Sequence, residues 1–322
     1  MTSENRFEQD TGRQAADFGA VYSVLMPVYR GERAAFFREA LNSMLNQTVP
    51  PAEMVVVCDG PLTPELDEVL ADYELSSMSM IQAETHPDLV RDTGGHGTAV
   101  KFSPSLRPVK FRVLRLPENV GIGAALAKGV EACSYDLIAR MDSDDVAAKD
   151  RCARQLAAFA KDSALTLCSG TIAEFQTNPG ETIQLRRLPL TQAEILRYAK
   201  RRNPMNHMAV MAKRSAILAA GNYRSIAGAE DYDLWVRMLC GGCKAANLPD
   251  ILVYARIGNG MFARRGGLSY VKSALSLQRE FRRLGFLTPA DYLSNCAVRL
   301  AVGLMPSGLR ERIYRNRLRE RK

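Results

Sequence analysis

The feature that most constrains this chain is a set of short runs that are apolar at nearly every position rather than at every second one. Val21-Tyr22-Ser23-Val24-Leu25-Met26, closed by Pro27, is the first, and Met54-Val55-Val56-Val57-Cys58 is the second. Residues 111–116 and Leu137-Ile138-Ala139-Arg140-Met141 follow. A strand with one wet face alternates apolar and polar residues; a strand covered on both faces does not. Between the runs lie segments of helical spacing: 33–46, with Phe37, Leu41, Met44 and Leu45, then 66–73 and 121–133. This alternation predicts an α/β fold, with a mostly parallel sheet flanked by helices. Further strands are expected at 165–175 and 207–212, and further helices at 231–240, 270–284 and 292–305.

Parallel strands deliver the residues that follow them to one edge of the sheet, where ligands bind in such folds. Acidic residues occupy that place three times: Asp59, the group Asp142/Asp144/Asp145, and Glu230/Asp231. Crowding like charges is costly unless a cation or hydrogen-bond donors compensate. Oxygen ligands of this kind suit Mg²⁺ or Mn²⁺. A solvated turn or a helix start explains Asp142-Ser143-Asp144-Asp145 equally well on spacing alone. Residues 76–110, with Gly94-Gly95-His96-Gly97 and little periodicity, read as a loop or insertion. The stretch lacks the lysine spacing of a phosphate-binding P-loop.

Composition narrows the class. At 322 residues, 47% hydrophobic and 24% charged, the chain is globular rather than disordered or fibrous. No uncharged apolar run approaches the roughly 18 residues of a membrane span. Residues 1–20 are polar, read as a flexible leader and lack the pattern of a signal peptide, so a cytoplasmic protein is expected. Seven scattered cysteines fit that reading, and Cys240-Gly-Gly-Cys243 alone is weak evidence for a metal or redox site. The net charge is +8, yet residues 256–322 hold 15 Lys and Arg against 4 Asp and Glu. Tyr292, Cys296, Leu300 and Leu304 form an apolar stripe just before this basic end. The pairing points to an anionic membrane surface. Nucleic acid is not expected, because the chain carries no recognised nucleic-acid-binding module.

Together these segments resemble family 2 glycosyltransferases of the GT-A fold. Ser23-Val24-Leu25-Met26-Pro27-Val28-Tyr29 resembles the family's opening strand, and Asn42-Ser43-Met44-Leu45-Asn46-Gln47-Thr48 the end of its first helix. Val55-Val56-Val57-Cys58-Asp59-Gly60 resembles its second strand, and Glu118-Asn119-Val120-Gly121 the turn after strand three. Asp142-Ser143-Asp144-Asp145 is similar to its DxD-type motif and Glu230-Asp231 to its late acidic pair. Ala139 to Asp145, Arg202 to Met208, Glu230 to Arg237 and Arg264-Arg265-Gly266-Gly267 are similar to the amylovoran-type exopolysaccharide galactosyltransferase branch.

The resemblance implies an inverting, metal-dependent hexosyltransferase. It would move galactose from a UDP-sugar to a polyprenyl-diphosphate-linked saccharide, on the inner face of the cell membrane. The transferase domain would span 21–265, with C-terminal helices and a basic tail over 266–322. Asp144 and Asp145 would hold the divalent cation, Mn²⁺ or Mg²⁺, and Asp142 would complete the cluster. Asp59 would accept from uracil, with Pro27, Val28 and Tyr29 flanking the base. Glu32 would lie near the ribose, and Asn119 also in the nucleotide-sugar site. Asp231 would be the general base, with Glu230 orienting the acceptor. His207 would join the site, and Arg264 and Arg265 would clamp the diphosphate. Trp235 reads as core. The alternative function is a non-catalytic nucleotide-sugar-binding subunit of a polysaccharide assembly complex.

Overall fold

The structure, a computed structural model, describes residues 21–85, 109–226, 228–258, 268–305 and 320–321. The leader, residues 86–108, Arg264, Arg265 and tail residues 306–319 lie outside the described residues. The first half holds β1 (Tyr22–Val28), α1 (Ala34–Leu45), β2 (Glu53–Cys58), α2 (Pro64–Thr85), β3 (Lys110–Arg115), α3 (Ile122–Ala132), β4 (Leu137–Arg140), β5 (Val146–Ala147) and α4 (Arg151–Lys161). The second holds β6 (Leu165–Phe175), β7 (Gln184–Arg186), α5 (Gln192–Ala199), β8 (Met211–Lys213), α6 (Arg214–Ala219), α7 (Glu230–Cys240), β9 (Lys244–Arg256), α8 (Leu268–Arg283), α9 (Pro289–Leu304) and β10 (Glu320–Arg321).

Strands β3, β2, β1 and β4 are neighbours in that order and all parallel. Their uninterrupted hydrophobicity serves two cores. Val24, Met26, Val28, Met54 and Val56 meet Phe37, Leu41, Met44, Leu66 and Leu70 on one face. Leu25, Val55 and Val57 meet Leu126, Val130, Trp235 and Met238 on the other. Each such side chain contributes roughly 1.5–3 kcal/mol on burial. Beyond β4 the sheet changes character: β8 is antiparallel to β4 and β6, and β7 is antiparallel to β6. The sheet is therefore mixed: parallel from β3 to β4, antiparallel through β8 and β7, with β9 running parallel to β6.

Two expectations about elements are corrected. Helix α2 continues to Thr85, ten residues into the stretch read as a loop. His207–Ala209 is a 3₁₀ turn rather than strand, and β8 begins only at Met211. On α9 polar side chains face the body. Asn295 is buried and donates to Lys200 O at 2.7 Å and Gln278 Oε1 at 2.8 Å, while Arg299 donates to Arg201 O. These bonds occupy carbonyls where α5 ends. They leave Leu293, Val298 and Leu300 exposed at 67%, 54% and 41%. Among the described residues no helix is long and apolar enough to cross a membrane.

Candidate active site

Because β1, β2 and β4 run in parallel, the residues after each emerge at one edge. Pro27 and Val28 end β1, and Val28 O accepts the Asp59 N–H at 2.8 Å. Tyr29 then turns its ring over Gly31 and is 48% exposed; a Cβ at Gly31 would lie 2.5 Å from that ring. Glu32 accepts from Arg33 N with one oxygen and from Ser143 Oγ, at 3.1 Å, with the other. Asp59 is buried and spends both oxygens on a neighbouring turn, taking Val120 N–H at 2.7 Å and Gly121 N–H at 3.1 Å. Exposed Asn119 donates to Asp59 O. Asp59 is thus a clamp between the ends of β2 and β3.

Asp142, Asp144 and Asp145 follow β4, and each offers an oxygen within 4.8 Å of the others. Burial, then the charges of Asp142 and Glu32, push Asp144 up to about 7. Burial, then Asp142 and Asp144, push Asp145 well above the usual carboxylate range. Two arginines absorb part of this charge. Arg140, 2% exposed, pairs with Asp142 at 2.5 Å. Burial opposes its charge, but Asp142 outweighs that and raises its pKa. Arg256, at the end of β9, donates its backbone N–H to Asp145 Oδ1 at 2.7 Å and its Nε to Asp144 O at 3.0 Å. Its guanidinium pairs with Glu39 and lies between the Phe36 and Phe175 rings, 3.8 and 4.5 Å from their centroids. Beneath the loop, fully buried Arg151 donates to the carbonyls of Arg140 and Val210.

Glu230 and Asp231 open α7, where its N-terminal dipole favours acids. Asp231 accepts from Tyr232 N at 2.7 Å and from Asn203 Nδ2 at 2.5 Å. Burial raises its pKa against the pull of those two donors. Burial and Asp231 push Glu230 up to about 7. His207 Nδ1 lies 4.0 Å from Asp231 Oδ2, and its Nε2 pairs with Tyr223 Oη at 3.0 Å. Burial and Arg140 hold His207 well below its ordinary pKa, so it is neutral near pH 7. Trp235 is fully buried, edge-on to both His207 and Tyr223.

The acidic groups gather in one place. Asp142 raises the proton affinity of Glu230, and Arg140 lowers that of Glu230, Asp231, Asp144 and Asp145 alike. Arg140 is thus paired with the β4 loop and within electrostatic reach of the start of α7. The turn clamped by Asp59 joins them through Gly123, where a Cβ would be 2.5 Å from Arg224 O and 3.3 Å from Glu230 Cβ. Sequence reasoning gave no role to Arg140, Arg256 or Asn203; the first and third stand inside the quoted segments, but the bond of Asn203 to Asp231 and the influence of Arg140 on Glu230 and Asp231 are long-range. Cys240 and Cys243 are free thiols.

Chemically, the Asp142/Asp144/Asp145 oxygens fit a hard divalent cation: three carboxylates converge, and two resist ionisation without added positive charge. Asp231, held by two donors, fits a proton acceptor. Residues 98–219 match the model of Glycosyl transferase family 2. The chain is 31% identical over 298 residues to the UDP-Gal:alpha-D-GlcNAc-diphosphoundecaprenol beta-1,3-galactosyltransferase of Escherichia coli, covering 92% of this chain and 96% of that one. The chain belongs to glycosyltransferase family 2. This family 2 enzyme is also 29% identical over 297 residues to the amylovoran biosynthesis glycosyltransferase AmsE of Erwinia amylovora, covering 91% and 98% of the two chains. These relatives support the galactosyltransferase branch. Among solved structures it is similar to Staphylococcus aureus TarS 1–349 in complex with UDP, with TM-score 0.56, 16% identity and coverage of 87% and 71%. It is likewise similar to the mannosyltransferase PcManGT of Pyrobaculum calidifontis in complex with GDP-Man and Mn²⁺, with TM-score 0.54, 16% identity and coverage of 94% and 85%. At that identity the likeness is one of fold, and the fold is GT-A.

Proposed function

We propose that this glycosyltransferase moves galactose from UDP-galactose to a polyprenyl-diphosphate-linked saccharide, with inversion, in exopolysaccharide or surface polysaccharide synthesis. The observation that carries this reading is the convergence of the β4 acids and the α7 acids around Arg140 at the carboxyl edge of the parallel strands. The acceptor oxygen bonds to the anomeric carbon as that carbon's bond to the diphosphate breaks. The acceptor proton goes to Asp231, and the bonding pair leaves with UDP. Glu230 orients the acceptor, and His207 lines the sugar's side of the cleft. What a divalent cation at Asp144 and Asp145 supplies is positive charge for the departing diphosphate.

The exposed Tyr29 ring supports a flanking role for the uracil, whereas Pro27 and Val28 are buried and would serve only by placing that ring. Each Asp59 oxygen keeps a second lone pair that would accept uracil N3–H. Glu32 and Asn119 would serve the ribose, and Arg264 and Arg265 the diphosphate. The exposed Leu293, Val298 and Leu300 of α9, next to the basic tail, support docking on an anionic bilayer, where such acceptors reside. Incubation with UDP-galactose, Mn²⁺ and a synthetic lipid-diphosphate GlcNAc acceptor tests the reaction. Disaccharide should form with UDP-galactose and not with UDP-glucose. Asp231→Asn should abolish transfer while keeping UDP affinity; full activity in that variant refutes the base assignment.

A further inference from the structure

Between the end of α5 and the turn at His207, residues 200–206 form an irregular segment that is held on every side. Pro204 restricts Asn203 to extended backbone, and Pro204 O accepts from Asn247 Nδ2 at 3.0 Å. Met205 is fully buried in the apolar cluster that contains Trp235. Asn206, also fully buried, donates to Gly170 O at 2.7 Å and Arg186 O at 3.2 Å, and its own carbonyl accepts from Ser169 Oγ. From this fixed frame the Asn203 side chain reaches Asp231. Its Oδ1 takes the Met205 N–H at 3.2 Å, which turns Nδ2 toward Asp231 Oδ2, 2.5 Å away. His207 Nδ1, at 4.0 Å, is too far to share the bond.

We propose that Asn203 is a positioning residue of the transfer reaction, holding the Asp231 carboxylate at the angle from which it receives the acceptor's proton. The inference rests on Asp231 being the base. An amide suits the task because it donates a strong hydrogen bond to a carboxylate yet neither takes nor gives up a proton at neutral pH. With the Tyr232 N–H on the other oxygen, the carboxylate is fixed at both ends while each oxygen keeps a lone pair for the incoming proton. Rigid backbone around a supporting donor is what keeps such a group in productive geometry.

The test compares Asn203→Ala, Asn203→Ser and Asn203→Asp with the parent enzyme and with Asp231→Asn. Asn203→Ala should lower kcat about 10- to 100-fold, the cost of a base displaced by about an ångström. KM for UDP-galactose and calorimetric UDP affinity should stay within twofold. Asn203→Ser keeps a donor and should recover part of kcat, whereas Asn203→Asp sets a second carboxylate against Asp231 and should lose the most. The groups facing Asp231 are Glu230 on α7, Arg140 on β4, Arg186 on β7, and His207 and Tyr223 on the intervening segments. Asn203→Ala alters none of them, so the acid limb of its kcat profile should move to higher pH. A kcat within twofold of the parent, an unmoved limb, or a parallel loss of UDP affinity overturns the proposal. Transfer persisting in Asp231→Asn would overturn the base assignment, and the role of Asn203 with it, whereas loss of transfer in Asp231→Asn beside an unchanged Asn203→Ala would overturn the Asn203 role alone.

Discussion

Asp144→Asn should make the metal-free protein more stable while removing metal-dependent UDP binding. Asp144 titrates near 4 in an unfolded chain and is pushed up to about 7 in the fold. The folded state therefore holds this proton more tightly than the unfolded state. Stability is greatest below about pH 4 and falls as pH rises toward 7, above which the full penalty is present. Three pH units at about 1.4 kcal/mol each set a ceiling of about 4 kcal/mol. Screening through the partly open cleft brings the expected gain to about 1–3 kcal/mol. Asparagine keeps the shape and carries no charge at any pH. At pH 8 the variant should melt roughly 2–8 °C higher than wild type in chelator-containing buffer. The gain should shrink at pH 6.5 and again at pH 5. Calorimetry with UDP should show that Mn²⁺ strengthens binding to wild type but not to the variant. A lower melting temperature at pH 8, or the same gain at every pH, would refute the charge-crowding argument.

Asp59→Ala strands the Val120 and Gly121 N–H groups, at about 1–3 kcal/mol for each one left buried. Thermal melting should fall by several degrees and UDP affinity should drop, as calorimetry will read. Arg256→Met removes the bond to Asp144 O, the pair with Glu39 and two ring contacts of about 0.5–2 kcal/mol each. Mn²⁺ titrations of UDP binding should show at least tenfold weaker metal dependence, while Mn²⁺-free UDP binding changes little. The rate of transfer should fall with acidity from near neutrality, because Glu230 sits at about 7 and Asp231 is raised. A pH profile flat to pH 5 would contradict the buried setting of that pair.

Much of this architecture was legible in local pattern. The ends of β6 match the apolar run 165–175, and β1, β2 and β4 lie within two residues of their runs, because burial on both faces leaves an uninterrupted signal. The acids were legible because each stands at a strand or helix end, where chain direction alone decides which edge it reaches. What escaped depends on partners distant in sequence. Arg140 reads as an interruption of an apolar strand until its neighbours on α7 are known. Arg256 reads as one more charge in a basic C-terminal region, yet its job is to stack between Phe36 and Phe175. The face by which α9 packs was not legible, because it is set by Asn295 and Arg299 reaching carbonyls near residue 200. His207–Ala209 carries strand-like residues, but the 3₁₀ turn there serves the packing of His207 on Trp235 and Tyr223.

The placement of Arg140 has an evolutionary reading. One guanidinium answers to carboxylates contributed by two stretches of chain almost ninety positions apart. Neither stretch can drift alone, since gaining or shedding a charge in one unbalances the other through that shared counter-ion. Lineages that alter the β4 motif should carry compensating exchanges at the start of α7. Residue pairs that covary across that gap would be the historical trace of a single buried cation.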